Sequence, residues 1–419
     1  MSAPWRIGAA SLPFPVPIGM PMAGYMARTG PAEGTHDLLA VGAFAIERDD
    51  RRLVILTADI AGVDSELVDE IANASGIERS ELLVCASHTH SGPIGVTARL
   101  HPADDDQVNP ALRANFVVIS AAVVAEAVRR LEPAELLFGS VETRGLAANR
   151  NEPNGPFDST LSVLAARRVT GETSAALVHF ACHPTVLSAK NRLISADFAG
   201  PLRRELSRSL DGADAFFMNG AAGDVSTRFV RRGQDFAEAE RIGAGLAQAA
   251  RQVLANARPL DGPIGYRCRT VPLSPRALEQ LSGKSERTVD TAAERRKQET
   301  KAQGAALLSK LIAAGEGAVP ASLDLEVWTL GDLALVAVPG ELFASLGARI
   351  ADAAQGPALV VGYANGYVGY LADTDSHEKG TYEALASPFA PDAGEHVVDA
   401  AIALVNGVRV ELTMESHRV

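Results

Sequence analysis

Residues 82–93 read Leu-Leu-Val-Cys-Ala-Ser-His-Thr-His-Ser-Gly-Pro, an apolar run that turns polar at His88 and His90 and is stopped by Gly92-Pro93. Imidazole is the side chain that binds transition metals or moves protons near neutral pH. If the backbone stays extended through residue 90, the period-2 alternation of a strand places His88 and His90 on one face. Such a pair can hold a metal, or one ring can bind metal while the other meets substrate. A polar loop with two solvated histidines fits the same residues, so the choice rests on what the rest of the chain brings.

Four further apolar runs end in compact polar clusters. Residues 175–181 lead into Cys182-His183-Pro184-Thr185, and residues 215–218 into the segment from Asn219 to Ser226. Residues 333–338 lead into Pro339-Gly340-Glu341, and residues 359–361 towards Asn365-Gly366-Tyr367-Val368-Gly369-Tyr370. In open α/β folds, sites gather at the carboxyl ends of buried strands. Catalytic zinc sites use about three protein ligands from His, Asp and Glu and leave a position for water. His88, His183 and Glu341 supply that inventory, at long and irregular spacing. A plainer role stays open for each: His183 satisfied by a backbone carbonyl, Glu341 capping a helix over 342–353. Ser226 has the chemistry of a nucleophile beside a histidine. Its surroundings lack the Gly-x-Ser-x-Gly elbow, and a serine capping a turn fits equally.

These residues need a scaffold, and its elements are legible. Residues 43–47 and 53–59 read as strands around Asp49-Asp50, and 65–74 as a helix stopped by Gly76 in a left-handed cap. A strand covers 82–90. Asn109 and Pro110 cap and open a helix running to about residue 131. Residues 136–139 and 161–166 are strands, with Asn149-Arg150-Asn151 in a polar loop between them. An amphipathic helix covers 236–257, and the charged stretch 274–315 reads as a surface helical insertion. A helix over 396–405 and a final strand over 408–412 close the chain, while the Pro- and Gly-rich stretch 12–25 reads as a surface entry loop. No repeat or linker divides residues 1–419, which read as one domain.

Composition narrows the class. Of 419 residues, 47% are hydrophobic and 21% charged, which suits a globular protein with a sizeable core. A net charge of −12 argues against nucleic-acid partners and against docking on anionic lipid. Cys85, Cys182 and Cys268 lie in apolar strand-like runs without a pairing framework, so reduced, packed thiols are expected. The N-terminus lacks the basic start and apolar core of a signal peptide, giving a cytoplasmic expectation. The most apolar helix, 116–128, is too short to span a bilayer and carries Glu126, so no stable membrane insertion is expected. Oligomeric state is not legible.

Taken in order, the polar clusters resemble the motifs of the neutral/alkaline ceramidase family. His88-Thr-His90-Ser-Gly-Pro93 is similar to the first. Asn149-Arg150 is similar to an Asn-Arg-Ser-Pro loop, with Asn151-Glu152-Pro153 in place of Ser-Pro. Phe180-Ala-Cys-His183-Pro-Thr185 with Asn191-Arg-Leu-Ile-Ser195 resembles the second histidine motif. The segments from Asn219 to Ser226, Pro339-Gly-Glu341, and Asn365…Tyr370…Tyr382-Glu-Ala resemble the remaining ones. The resemblance spans about residues 17 to 391.

That resemblance implies stacked β-sheets flanked by helices in a mixed α/β fold, with the site at strand ends. It implies one zinc ion (Zn2+) per chain, held by His88, His183, Glu341 and Tyr370. It places His90, Arg150 and Tyr382 at the scissile amide, and Ser226 and Gly24 at the substrate. The implied activity is hydrolysis of a linear amide, ceramide-like or smaller, within sphingolipid metabolism. A serine hydrolase using Ser226, or a non-catalytic metal-binding protein of the same fold, are the alternatives. Two departures from the family pattern are expected: no C-terminal immunoglobulin-like domain and no export signal. Together with only 5% aromatic residues, they lead us to expect a soluble or short-chain amide to be preferred over long-chain ceramide.

Overall fold

The strand Leu39–Arg48 shows how the layers arise. Leu39, Val41, Ala43 and Ala45 face one apolar cluster, while Phe44 and Ile46 face another. Both faces are covered, which is why the run reads as continuously apolar rather than alternating. The computed structural model describes residues 4–97, 108–276, 292–313 and 319–416. Its main sheet has nine strands. Their order is Asp214–Asn219, Thr173–Phe180, Thr160–Arg168, Glu132–Glu142, Arg6–Phe14, Leu39–Arg48, Arg51–Ala58 and Leu82–Ala86, with Arg258–Pro259 beside Glu132–Glu142.

A second sheet of four strands, Ile264–Pro272, Ser322–Leu330, Leu333–Ala337 and Ala358–Val361, packs against it. Leu83 and Cys85 from the main sheet and Leu333, Leu335 and Ala337 from the second share the cluster between them. The helices Ser65–Ser75, Pro110–Arg129, Ala199–Ser209 and Phe236–Leu254 cover the outer face of the main sheet. Ala344–Ala353 and Ala393–Ser416 cover the outer face of the second. The architecture is four layers, two stacked sheets flanked by helices, as the family resemblance implies.

Local signals held where their chemistry is self-contained. Asp49 and Asp50 both have positive φ in the two-residue turn joining Leu39–Arg48 to Arg51–Ala58. Gly76 caps its helix at φ +67°, and the Asn109 side chain accepts the Leu112 N–H at 3.0 Å.

Other expectations are corrected. Arg6–Phe14, whose last three residues fall in the expected entry loop, is a strand paired along its full length with Leu39–Arg48. On its other side only Arg6 and Ile7 pair, which is how Pro13 is tolerated. The expected strand 408–412 is the continuation of the helix Ala393–Ser416, because Val405 and Val408 pack into the second core. The Pro110–Arg129 helix reaches 20 residues, long and apolar enough to cross a membrane by length and composition. Phe116, Val123, Val124 and Ala127 nevertheless pack it on the sheet. The three cysteines are free, but Cys268 is exposed rather than packed. Of the stretch 274–315, residues 277–291 and 314–315 lie outside the described residues. The part that is described, helix Ala292–Ala313, buries Leu307 and Leu308 against the second core and so is not purely a surface element.

Candidate active site

The loop after Ala358–Val361 fixes the place where the two sheets meet. Asn365, at φ +55°, donates its backbone N–H to Val84 O at 3.0 Å and accepts the Val84 N–H on Oδ1 at 2.7 Å. Its Nδ2 reaches the buried Glu326 at 3.0 Å. An asparagine tolerates this backbone and supplies both a donor and an acceptor. The result stitches the second sheet to the last strand of the first, beside His88.

That strand ends at Ala86, and His88 has φ +66°, so the chain is not extended from 82 to 90 as expected. The bend arises because the Ser87 and His88 N–H groups turn to Ala58 O and Ile60 O of the neighbouring segment. The two rings still converge, with Nε2 of His90 3.2 Å from Nε2 of His88. His183 joins them from beyond the strand Thr173–Phe180, and one ring nitrogen from each of the three lies within 4.8 Å of the others. Glu341 comes from the two-residue strand Glu341–Leu342, paired parallel with Tyr370–Leu371. Its Oε2 is 2.9 Å from His183 Nε2 and 3.4 Å from His88 Nε2.

The hydrogen bonds around these rings decide what they can hold. His183 Nδ1 faces two carbonyl oxygens, Ala222 at 2.6 Å and Val225 at 3.1 Å, so it must carry the proton. His88 Nδ1 donates to Ala61 O in the same way. A neutral ring then has a bare Nε2, and both bare nitrogens point at a carboxylate oxygen. Burial, with Arg150 adding to it, pushes the His183 pKa down to about 4. Burial, His88 and His183 hold His90 well below the usual histidine range. Burial opposes the Glu341 charge, but its neighbours His88 and His183 hold the carboxyl well below the usual range, so it is ionised. Lone pairs converging with no proton between them repel, and a cation removes that repulsion. The donor set therefore fits a divalent ion of the kind imidazole and carboxylate bind, at contacts of about 2.0–2.2 Å.

Arg150 stands beside this cluster. Its Nε meets Glu383 at 2.6 Å, and its terminal nitrogen donates to the Tyr370 hydroxyl at 3.1 Å. Burial opposes the Arg150 charge, but Tyr370 and Glu383 keep it protonated. Asp224 fixes the loop that carries it: its backbone oxygen accepts the Arg150 N–H at 2.7 Å, and Oδ1 accepts the Ala344 N–H at 2.8 Å. Tyr382 lies edge-on to Tyr370, ring centroids 6.0 Å apart. Ser226 Oγ accepts the Arg228 N–H at 3.1 Å, and no described histidine hydrogen-bonds it. Gly24, at φ +91°, lies so close to His90 that a Cβ there would be 2.2 Å from the ring.

The structure thus brings His88, His90, His183, Glu341, Tyr370, Arg150 and Tyr382 to one place, with Ser226 and Gly24 on its walls. Four contributors escaped the sequence reading. Tyr363 stacks on His88, centroids 4.1 Å apart, and Tyr367 hydrogen-bonds Glu341 Oε1. Asp224 and Glu383 hold Arg150. Tyr367, Asp224 and Glu383 lie inside clusters already singled out, but nothing in their spacing separates them from neighbouring residues.

Two cavities meet at the cluster. One, of about 210 Å³, reaches past Met22, Met26, Ile94 and Leu307 to His88 and Glu341. The other, of about 470 Å³, is lined by Arg150, Ser226, Arg228 and Arg231 among others. Gly24, Tyr25, Met26, His90, Tyr370 and Tyr382 border both.

The chain is similar to known proteins. Residues 15–230 match the family described as neutral/alkaline non-lysosomal ceramidase, N-terminal. A neutral ceramidase of Mycobacterium tuberculosis is 29% identical over 216 residues, 46% of this chain and 34% of that relative. A neutral ceramidase of Pseudomonas aeruginosa is 24% identical over 474 residues, 93% of this chain and 70% of the relative. This chain therefore aligns to about a third of the first relative's length and rather more than two thirds of the second's. The solved neutral ceramidase from Pseudomonas aeruginosa superposes with a TM-score of 0.78 at 20% identity, covering 97% of this chain and 75% of that one. At that identity the superposition speaks for the fold.

Proposed function

This chain belongs to the neutral/alkaline non-lysosomal ceramidase family, and on that premise we propose that it is a zinc-dependent hydrolase of linear N-acyl amides. The observation that carries the reading is the set of bare imidazole nitrogens and carboxylate oxygen facing cavities that also hold a half-buried arginine. His88, His183 and Glu341 would hold the metal, with Tyr370 as the fourth ligand. What a zinc ion supplies when bound there is Lewis acidity, enough to bring the pKa of a water down to about 7.

The chain's own residues do the rest. The attacking water forms a C–O bond to the amide carbonyl and loses a proton to neutral His90. Arg150 and Tyr382 donate to the oxygen that gains charge. The C–N bond then breaks, and the proton passes from His90 to the departing nitrogen, so one water becomes the hydroxyl of the acid and a hydrogen of the amine. Among the described residues the buried Nδ1 of His90 has no hydrogen-bond partner.

Ser226 serves here as a wall of the site. With N-octanoyl amides as substrates, hydrolysis should release acid and amine in equal amounts. Ser226→Ala should lower turnover without abolishing it, and rapidly quenched wild-type reactions should contain no acyl-protein adduct by mass spectrometry. An octanoyl adduct on Ser226 would replace this mechanism with a serine-hydrolase one.

A further inference from the structure

The two cavities differ in chemistry, and the difference names a substrate class. The smaller one is walled by Met22, Ile94 and Leu307, none of which lines the larger one, and this suits an acyl chain. The larger one presents Arg150, Arg228 and Arg231, and its sole lining carboxylate among the described residues is Glu383. Glu383 is already engaged by Arg150 at 2.6 Å and by Asn151 at 2.9 Å. Arg231 donates to a neutral acceptor, Thr185 O at 2.6 Å, and no described carboxylate lies within ion-pair reach of it. In a chain of net charge −12, a cavity walled by three guanidinium groups and one engaged acid runs against composition. Positive charge concentrated in a concave site draws anions, and the arginine fork matches an oxyanion two bonds at a time.

Resting on the amide-hydrolase reading, we propose that the preferred substrate is an N-acyl amide whose amine half carries an anionic group, as in an N-acyl amino acid. The acyl chain lies in the apolar cavity, the scissile amide at His90, Tyr370 and Tyr382, and the anion against Arg228 and Arg231. Hydrolysis then yields a carboxylic acid and an anionic amine.

The test separates binding from turnover. 4-Oxoundecanoic acid replaces the amide N–H of N-octanoylglycine by CH2 and cannot be hydrolysed at that bond; 4-oxoundecanamide is its neutral match. Calorimetry on the wild-type protein should show the acid binding about tenfold or more tighter than the amide, the strength expected of charge-assisted paired bonds. Arg231→Gln should remove most of that advantage and Arg231→Lys should keep part of it. An advantage below about tenfold, or one that Arg231→Gln leaves intact, overturns the proposal. In parallel, kcat/KM is compared for N-octanoylglycine and N-octanoylglycinamide. Preferential binding of the acid without turnover of either amide would sink the hydrolase reading and leave the anion site standing. Turnover of both without preference would sink only the anion site.

Discussion

His183→Ala is expected to lose the bound zinc and, with it, amide hydrolysis. Removing only the partner of a metal-bound histidine typically costs about 10–100-fold in metal affinity or activity, and removing the ligand itself should cost more. His183 is fully buried, and its Nδ1 satisfies the carbonyls of Ala222 and Val225. Both carbonyls keep a backbone donor in the variant, the Val225 N–H on Ala222 O and the residue 183 N–H on Val225 O, so its cost to stability is that of the cavity left by the ring. A thermal melt run beside elemental analysis separates these effects: a folded protein without zinc is the expected result. Equal zinc in variant and wild type would remove His183 from the ligand set.

Arg150→Ala should keep the zinc and lose about 10²–10³ in kcat, the cost of one donor to a developing oxyanion. Here too the neighbours complicate the substitution. Glu383 is 2% exposed at its side chain and would be left as a buried carboxylate without its cation, a change that typically costs about 3–5 kcal/mol. The double variant Arg150→Ala/Glu383→Gln removes the stranded charge and should recover stability without recovering turnover. Stability and rate recovered together would mean that Arg150 serves the fold rather than the amide. Loss of zinc in either variant would place Arg150 against the metal ligands.

Much of this was open to a reader of the sequence. The Asp49-Asp50 turn, the Gly76 cap and the Asn109-Pro110 helix start are decided by backbone chemistry within a few residues. The buried strands advertise themselves as apolar runs because both faces are covered. Arg6–Phe14 was hidden because its Gly, Ala and Ser residues carry little strand signal, and full-length pairing with Leu39–Arg48 overrides that. The helix through Val408 shows the opposite override, a β-branched run held helical by its packing. At the site, ligand types at strand ends were legible, whereas the contacts of Tyr363 and Tyr367 were not. Those depend on Asn365 joining two sheets whose strands are far apart in the chain. The left-handed backbone at His88 is likewise set by Ala58 and Ile60 on a neighbouring segment, not by the sequence around the histidine.

The most direct measurement is a zinc titration of the protein after exhaustive chelation, following bound metal and hydrolysis of an N-octanoyl amide in the same samples. The account predicts no turnover in the metal-free protein and full recovery at one zinc per chain. His183→Ala should stay inactive across the same range. Undiminished hydrolysis by the metal-free protein would contradict it.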